Sequence, residues 1–167
     1  MELTLDELRS VAGFAVACAR TVLPLVEEVL PDDDRPRAAI DAAAAFADGG
    51  PRTRAMRDTA WAAGRAAREA GNPVAEQAAR AAMAAAGAGY LHPLADATQV
   101  RHVVGAGAHA IRARELRGEE VGVAAVADLA DPVVGTVLRR YPAAPDGGER
   151  VGELVRELDA AVRAVGS

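Results

Sequence analysis

The stretch AARAAMAAAGA (78–88) packs eight alanines into eleven residues, and the same bias runs through the whole chain. Forty-two of the 167 residues are alanine, while Phe, Trp and Tyr together supply five. Alanine is the strongest helix former. Its single methyl lets helix axes approach toward the lower end of the usual ~8–10 Å. A core made of such residues is reached by packing helices closely on helices. No segment shows the aromatic and β-branched alternation of a strand; Val121, Val123 and Val126 lie among Ala124, Ala125 and Ala127, which favour a helix. The expected fold is therefore all-α: one domain over residues 1–167, an irregular bundle of about seven to eight helices. A chain of this length should bury roughly 70% of its unfolded surface.

Local signals place the elements. Thr4 and Glu7 form a capping box before an apolar run that continues to Leu23. Pro24 should kink that helix near Arg20, and the helix should stop before Pro31. Asp33 or Asp34 can cap a second helix that Gly49-Gly50 ends. A third runs from Pro51 or Thr53 to about Ala70. Gly71-Asn72-Pro73 reads as stop, cap and start for a helix over 73–88. Beyond the connector YLHPLAD, a helix starts near Asp96 or Thr98 and ends before Gly118. A shorter helix follows over 119–130, then one from Asp131-Pro132 to about Tyr141, and a last one over 149–165.

Charge and composition narrow the function classes. The net charge is −5, lysine is absent, and all 19 basic residues are arginine. An acidic chain is a poor ligand for DNA or RNA, whose phosphates need a basic face. A cationic protein partner fits better. Cys18 is the only cysteine and has no disulfide partner within the chain, which suits a reducing compartment. The start MELTLDEL lacks the basic opening and apolar core of a signal peptide, and no apolar run reaches the ~18–20 residues needed to span a bilayer. The expectation is a cytoplasmic protein with no membrane partner.

Within ATQVRHVVGAGAHAIRA (97–113), His102 and His109 stand seven residues apart. Seven residues turn a helix through about 700° and advance it by about 10 Å, so the two rings share a face but cannot share one metal ion by themselves. His92 precedes them without completing a set of ligands at metal spacing. Thr98, His102, Gly105, His109 and Arg112 form one polar line with a gap at Gly105. A glycine inside a helix costs about 1 kcal/mol against alanine. Here it marks either a helix crossing at Gly105 and Gly107, with each histidine satisfied by a neighbour, or space for a ligand.

PDDDRPR (31–37) gathers three carboxylates and two guanidiniums at a helix start. Acids suit that position, and Arg37 is expected to pair with Asp33 or Asp41. The same corner could dock a partner or face the histidines. Trp61 reads first as the main core filler and second as a ligand-stacking ring. Cys18 reads as a small apolar group, and R52-T-R54-A-M-R57 as a solvated face. There is no nucleophile elbow and no phosphate loop, so no catalytic residue, metal or cofactor is assigned.

PDDDRPRAAIDAA together with YLHPLADATQVRHVVGAGAHAIRA and the early FAVACARTVLP resembles the all-helical immunity proteins of bacterial toxin systems, the immunity-protein-5-like group. The resemblance covers about residues 5–160. It implies an acidic, helical, cytoplasmic protein that neutralises a cognate toxin by binding it. The motif positions it carries over are Asp33, Asp34, Arg35, Arg37, His92, Thr98, His102 and His109; Trp61 and Arg112 join them as binding candidates from the residue reading. The alternative is a small-ligand- or metal-binding helical protein, enzymatic or not, that uses His92, His102 and His109. A third reading is a homo-oligomer joined through small-residue faces such as Ala78–Ala84.

Overall fold

A computed structural model describes residues 1–167 as nine α-helices and no strand. They are α1 (Leu5–Arg20), α2 (Leu23–Val29), α3 (Arg35–Ala47), α4 (Arg54–Glu69), α5 (Pro73–Ala88), α6 (Val100–Leu116), α7 (Val123–Ala127), α8 (Pro132–Leu138) and α9 (Glu149–Arg163). A 3₁₀ turn at Ala97–Gln99 leads into α6. One core cluster of 49 buried residues draws on all nine helices, as the all-α reading requires.

The caps behave as their residue types dictate. The Glu7 amide donates to Thr4 Oγ1 at 3.2 Å, and the Thr4 amide donates to Glu7 Oε2 at 2.8 Å. Asn72 accepts the Ala75 amide at 3.0 Å, with Gly71 before it at φ +62°. Asp131 accepts the Val133 and Val134 amides at 2.8 and 3.1 Å. At the start of α3 it is Asp33, not Asp34, whose carboxylate takes a backbone amide, that of Arg35 at 3.1 Å.

Two elements differ from expectation. The first helix breaks rather than kinks: it ends at Arg20 and restarts at Leu23, and the two pieces meet at 44°. Pro24 has no amide to continue the ladder and sits in the first turn of α2, where none is needed. No single helix is long and apolar enough to cross a membrane; the bent pair α1–α2 qualifies by length and composition, and most of its apolar residues are buried in the core, Leu5 and Val29 excepted. The helix expected over 119–130 shrinks to the five residues of α7, because Gly118 (φ +86°) and Gly122 precede it and Asp131-Pro132 starts the next element.

α5 is the central rod, packed against α1, α2, α3, α4 and α6. A helix enclosed on so many sides must be small all round, and Ala75, Ala78, Ala79, Ala81, Ala82, Ala85 and Ala86 are buried. Within the Ala78–Ala84 face, Ala78, Ala79, Ala81 and Ala82 are covered by the chain itself, while Arg80, Met83 and Ala84 are only half-buried. α6 lies on α5 and carries α9 on another side, and α9 also meets α7 and α8.

Trp61 is not the core filler: it is 58% exposed. The core face of α4 carries Met56, Ala63, Gly64, Ala66 and Ala67. That close approach to α5 leaves no room for an indole, which stands on the outer face with Arg57 and Arg65 one turn away on either side. Phe46, Ile40, Met56 and Ile111 are the large fully buried side chains instead. Cys18 is buried, as expected of a small apolar group, and burial pushes its thiol up to about 12.

Candidate functional site

Where α4, α5, α6 and the start of α9 come together, they leave a cavity of about 550 Å³. Its space follows from small residues on every wall: Ala60 on α4, Ala84 and Gly87 on α5, Gly105 on α6, and Gly148 and Gly152 at the start of α9. Met83, Val151 and Val155 supply larger apolar surface. Polar character comes from Arg57, Arg80 and Arg101, from His102 and His109, and from Tyr90; Trp61 completes the lining.

Each histidine is held by its Nδ1. His102 Nδ1 lies 3.2 Å from the Gly87 carbonyl. A carbonyl can only accept, so Nδ1 carries the proton and Nε2 keeps a lone pair. His109 Nδ1 lies 2.7 Å from Gln77 Oε1 and donates in the same way. Burial lowers the His102 pKa below its ordinary value. Burial, aided by the cations Arg80 and Arg101, holds His109 down at about 4. Both rings are therefore neutral near pH 7, each with Nε2 free to accept.

The arginines differ in how they are compensated. Arg80 pairs with Glu76 one turn back at 2.8 Å. Arg57 rests over the Tyr90 ring, 5.1 Å from its centroid, and Arg52 lies 5.6 Å from the same centroid. Neither Arg57 nor Arg101 has a carboxylate within 4.0 Å. No Asp or Glu lines the cavity.

The polar line read on the sequence is split by the structure. His102, Gly105 and His109 face the cavity together, and Trp61 joins them from α4. Thr98 lies before the helix in the 3₁₀ turn and is exposed, its hydroxyl donating to Asp96 at 2.7 Å. Arg112 pairs with Glu115 at 3.3 Å, and Arg150 binds the same carboxylate at 2.6 Å, which ties α6 to α9 outside the cavity. The glycines also divide. A Cβ at Gly107 would lie 3.1 Å from Leu158 Cδ1 and from Val126 Cγ1, so this position is the tight crossing; at Gly105 it would meet only Ala84 Cβ at 3.8 Å.

His92 is exposed in the connector and lines a neighbouring depression with Arg52, Arg54, Arg57 and Tyr90. The acidic corner does not meet the histidines at all. Arg35 binds Asp33 at 2.7 Å and Glu69 at 2.7 Å, joining the start of α3 to the end of α4, and that guanidinium holds both carboxyls below their ordinary range. Arg37 pairs with Glu27 of α2 at 2.6 Å rather than with Asp33 or Asp41. Asp34 is exposed and caps nothing with its side chain. Sequence reasoning missed Arg57, Arg80, Arg101 and Tyr90. The available signal was an arginine followed three or four residues on by Ala or Gly on each of three helices: Arg57 and Ala60, Arg80 and Ala84, Arg101 and Gly105.

Residues 1–131 match the family model described as Imm-5 like putative immunity protein. No curated protein and no solved structure matches the chain. The matched residues include the α4, α5 and α6 walls of the cavity, while the α9 wall lies beyond them.

Proposed function

The chain belongs to the Imm-5-like family of immunity proteins, and from that premise we propose that it binds a cognate bacterial toxin in the cytoplasm and neutralises it. Family membership over residues 1–131 is the observation that carries this reading. The charge distribution supports it. The net charge is −5, and at the α2–α3 corner the arginines are engaged within the chain. Arg35 and Arg37 bind Asp33, Glu69 and Glu27, while Asp32 and Asp34 remain exposed. That corner offers negative charge to a cationic surface, which favours fast and selective encounter.

The test is co-expression with the product of each neighbouring gene that proves toxic when expressed alone. The chain should restore growth and co-elute with the toxin on size exclusion. Asp32→Asn with Asp34→Asn should slow association, most clearly at low salt. A chain that neither binds the toxin nor protects its host would end this reading.

A further inference from the structure

The cavity carries a charge pattern that toxin binding does not require. In a chain of net charge −5, its lining holds three arginines and no carboxylate. Arg57 and Arg101 are exposed at its edge and unpaired, while Met83, Ala84, Gly105 and Val155 give it an apolar interior. Its volume of about 550 Å³ falls within the ~300–1,000 Å³ of ordinary small-molecule sites, which are mostly apolar with a few placed polar groups. Tyr90 and the exposed Trp61 add aromatic surface beside the cations. The two histidines spend their Nδ1 protons on Gly87 and Gln77, and each keeps an unpartnered Nε2 on a residue that lines the space.

We propose that this cavity binds a small aromatic organic anion. Its ring lies on the apolar walls and Trp61, and its acidic oxygens are held by Arg57 and Arg101. Guanidinium forks suit a planar carboxylate or a phosphate monoester equally, because both offer paired acceptor oxygens. A ring hydroxyl or N–H would find its acceptor at His102 or His109. The site stands apart from toxin binding and does not depend on it.

Calorimetry on the full chain tests the proposal with 2-naphthoate, 2-naphthyl phosphate, neutral 2-naphthylmethanol and inorganic phosphate. At least one aromatic anion should bind about tenfold or more tighter than the alcohol, as expected for charge-assisted hydrogen bonds. Whichever anion binds more tightly identifies the acidic group. Arg57→Gln with Arg101→Gln should remove that advantage while the chain stays folded, since both side chains are exposed and Arg57 loses only its contact with Tyr90. Gly105→Leu should block the cavity to every aromatic probe. The proposal is overturned if no aromatic anion binds, if the alcohol binds as well as the acids, if inorganic phosphate matches naphthyl phosphate, or if the double variant keeps full affinity.

Discussion

Replacing Gly107 with alanine should destabilise the protein relative to the same replacement at Gly105, although both glycines sit on α6 two residues apart. Each substitution gains about 1 kcal/mol of helix propensity. At 105 the new methyl meets only Ala84 Cβ at 3.8 Å, an ordinary contact, so the gain should survive. At 107 the methyl would stand 3.1 Å from Leu158 Cδ1, 3.1 Å from Val126 Cγ1 and 3.4 Å from Cys18 Sγ. Those three side chains come from α9, α7 and α1 and are all buried, so none can swing into solvent. Forcing a methyl into such a site costs about 1–3 kcal/mol. The two variants should therefore differ by about 1–3 kcal/mol, which in a chain of this size separates their Tm values by roughly 2–12 °C. Urea denaturation with matched m-values would measure it. If Gly107→Ala proves as stable as Gly105→Ala, the meeting of α6 with α1, α7 and α9 is looser than described, and the structural reason for that glycine is lost.

Three further outcomes follow from particular residues. The unfolded chain protonates His109 near the ordinary 6.5 and the folded chain only near 4, where Arg80, Arg101 and Glu76 surround the ring. Its contribution to stability is thus complete above pH 6.5 and is lost as pH falls toward 4, by about 3 kcal/mol; His109→Gln should flatten that part of the urea-midpoint profile, and an unchanged slope would refute the assignment. Asp159, 3% exposed, accepts from the Ala144 amide at 2.9 Å and from Arg163 at 2.6 Å, which anchors the loop after α8. Asp159→Ala should cost about 2–4 kcal/mol and raise hydrogen exchange at the Ala144 amide; normal protection there would show that the loop is held otherwise. Trp61→Ala should change stability by no more than about 0.5 kcal/mol, as an exposed site does; a large loss in a circular-dichroism melt would put the indole back in the core.

What could be read from the sequence was whatever depends on near neighbours along the chain. Thr4 with Glu7, Asn72 with Pro73, and Asp131 with Pro132 declare helix starts through bonds spanning two or three residues, and all three open helices in the structure. His102 and His109 sharing a face, and the spacing that keeps them from a common metal ion, also follow from helical geometry alone. The convergence of faces from distant helices was not legible. Arg57, Arg80 and Arg101 lie on three separate helices, and periodicity says which residues share a face but not which faces meet. PDDDRPR shows the same gap. Its arginines were available to several acids nearby, and the packing of α3 against α2 and α4 chose Glu27 and Glu69.

The alanine load accounts for both the main misreading and the cavity. A large aromatic side chain usually belongs inside, and in a core of mixed sizes Trp61 would have found a place. Helices brought together by methyl-sized contacts have little volume to offer it, so the indole goes outside while Ala63, Ala66 and Ala67 take the contact. Yet three helix walls cannot close completely when Ala60, Ala84, Gly87 and Gly105 line them, because none of these four is long enough to reach across. The same small side chains that draw α4, α5 and α6 together along their contact lines leave the space beside those lines unfilled. Long arginines and an exposed indole stand at its edge, and an opening with apolar walls and a cationic rim is the consequence.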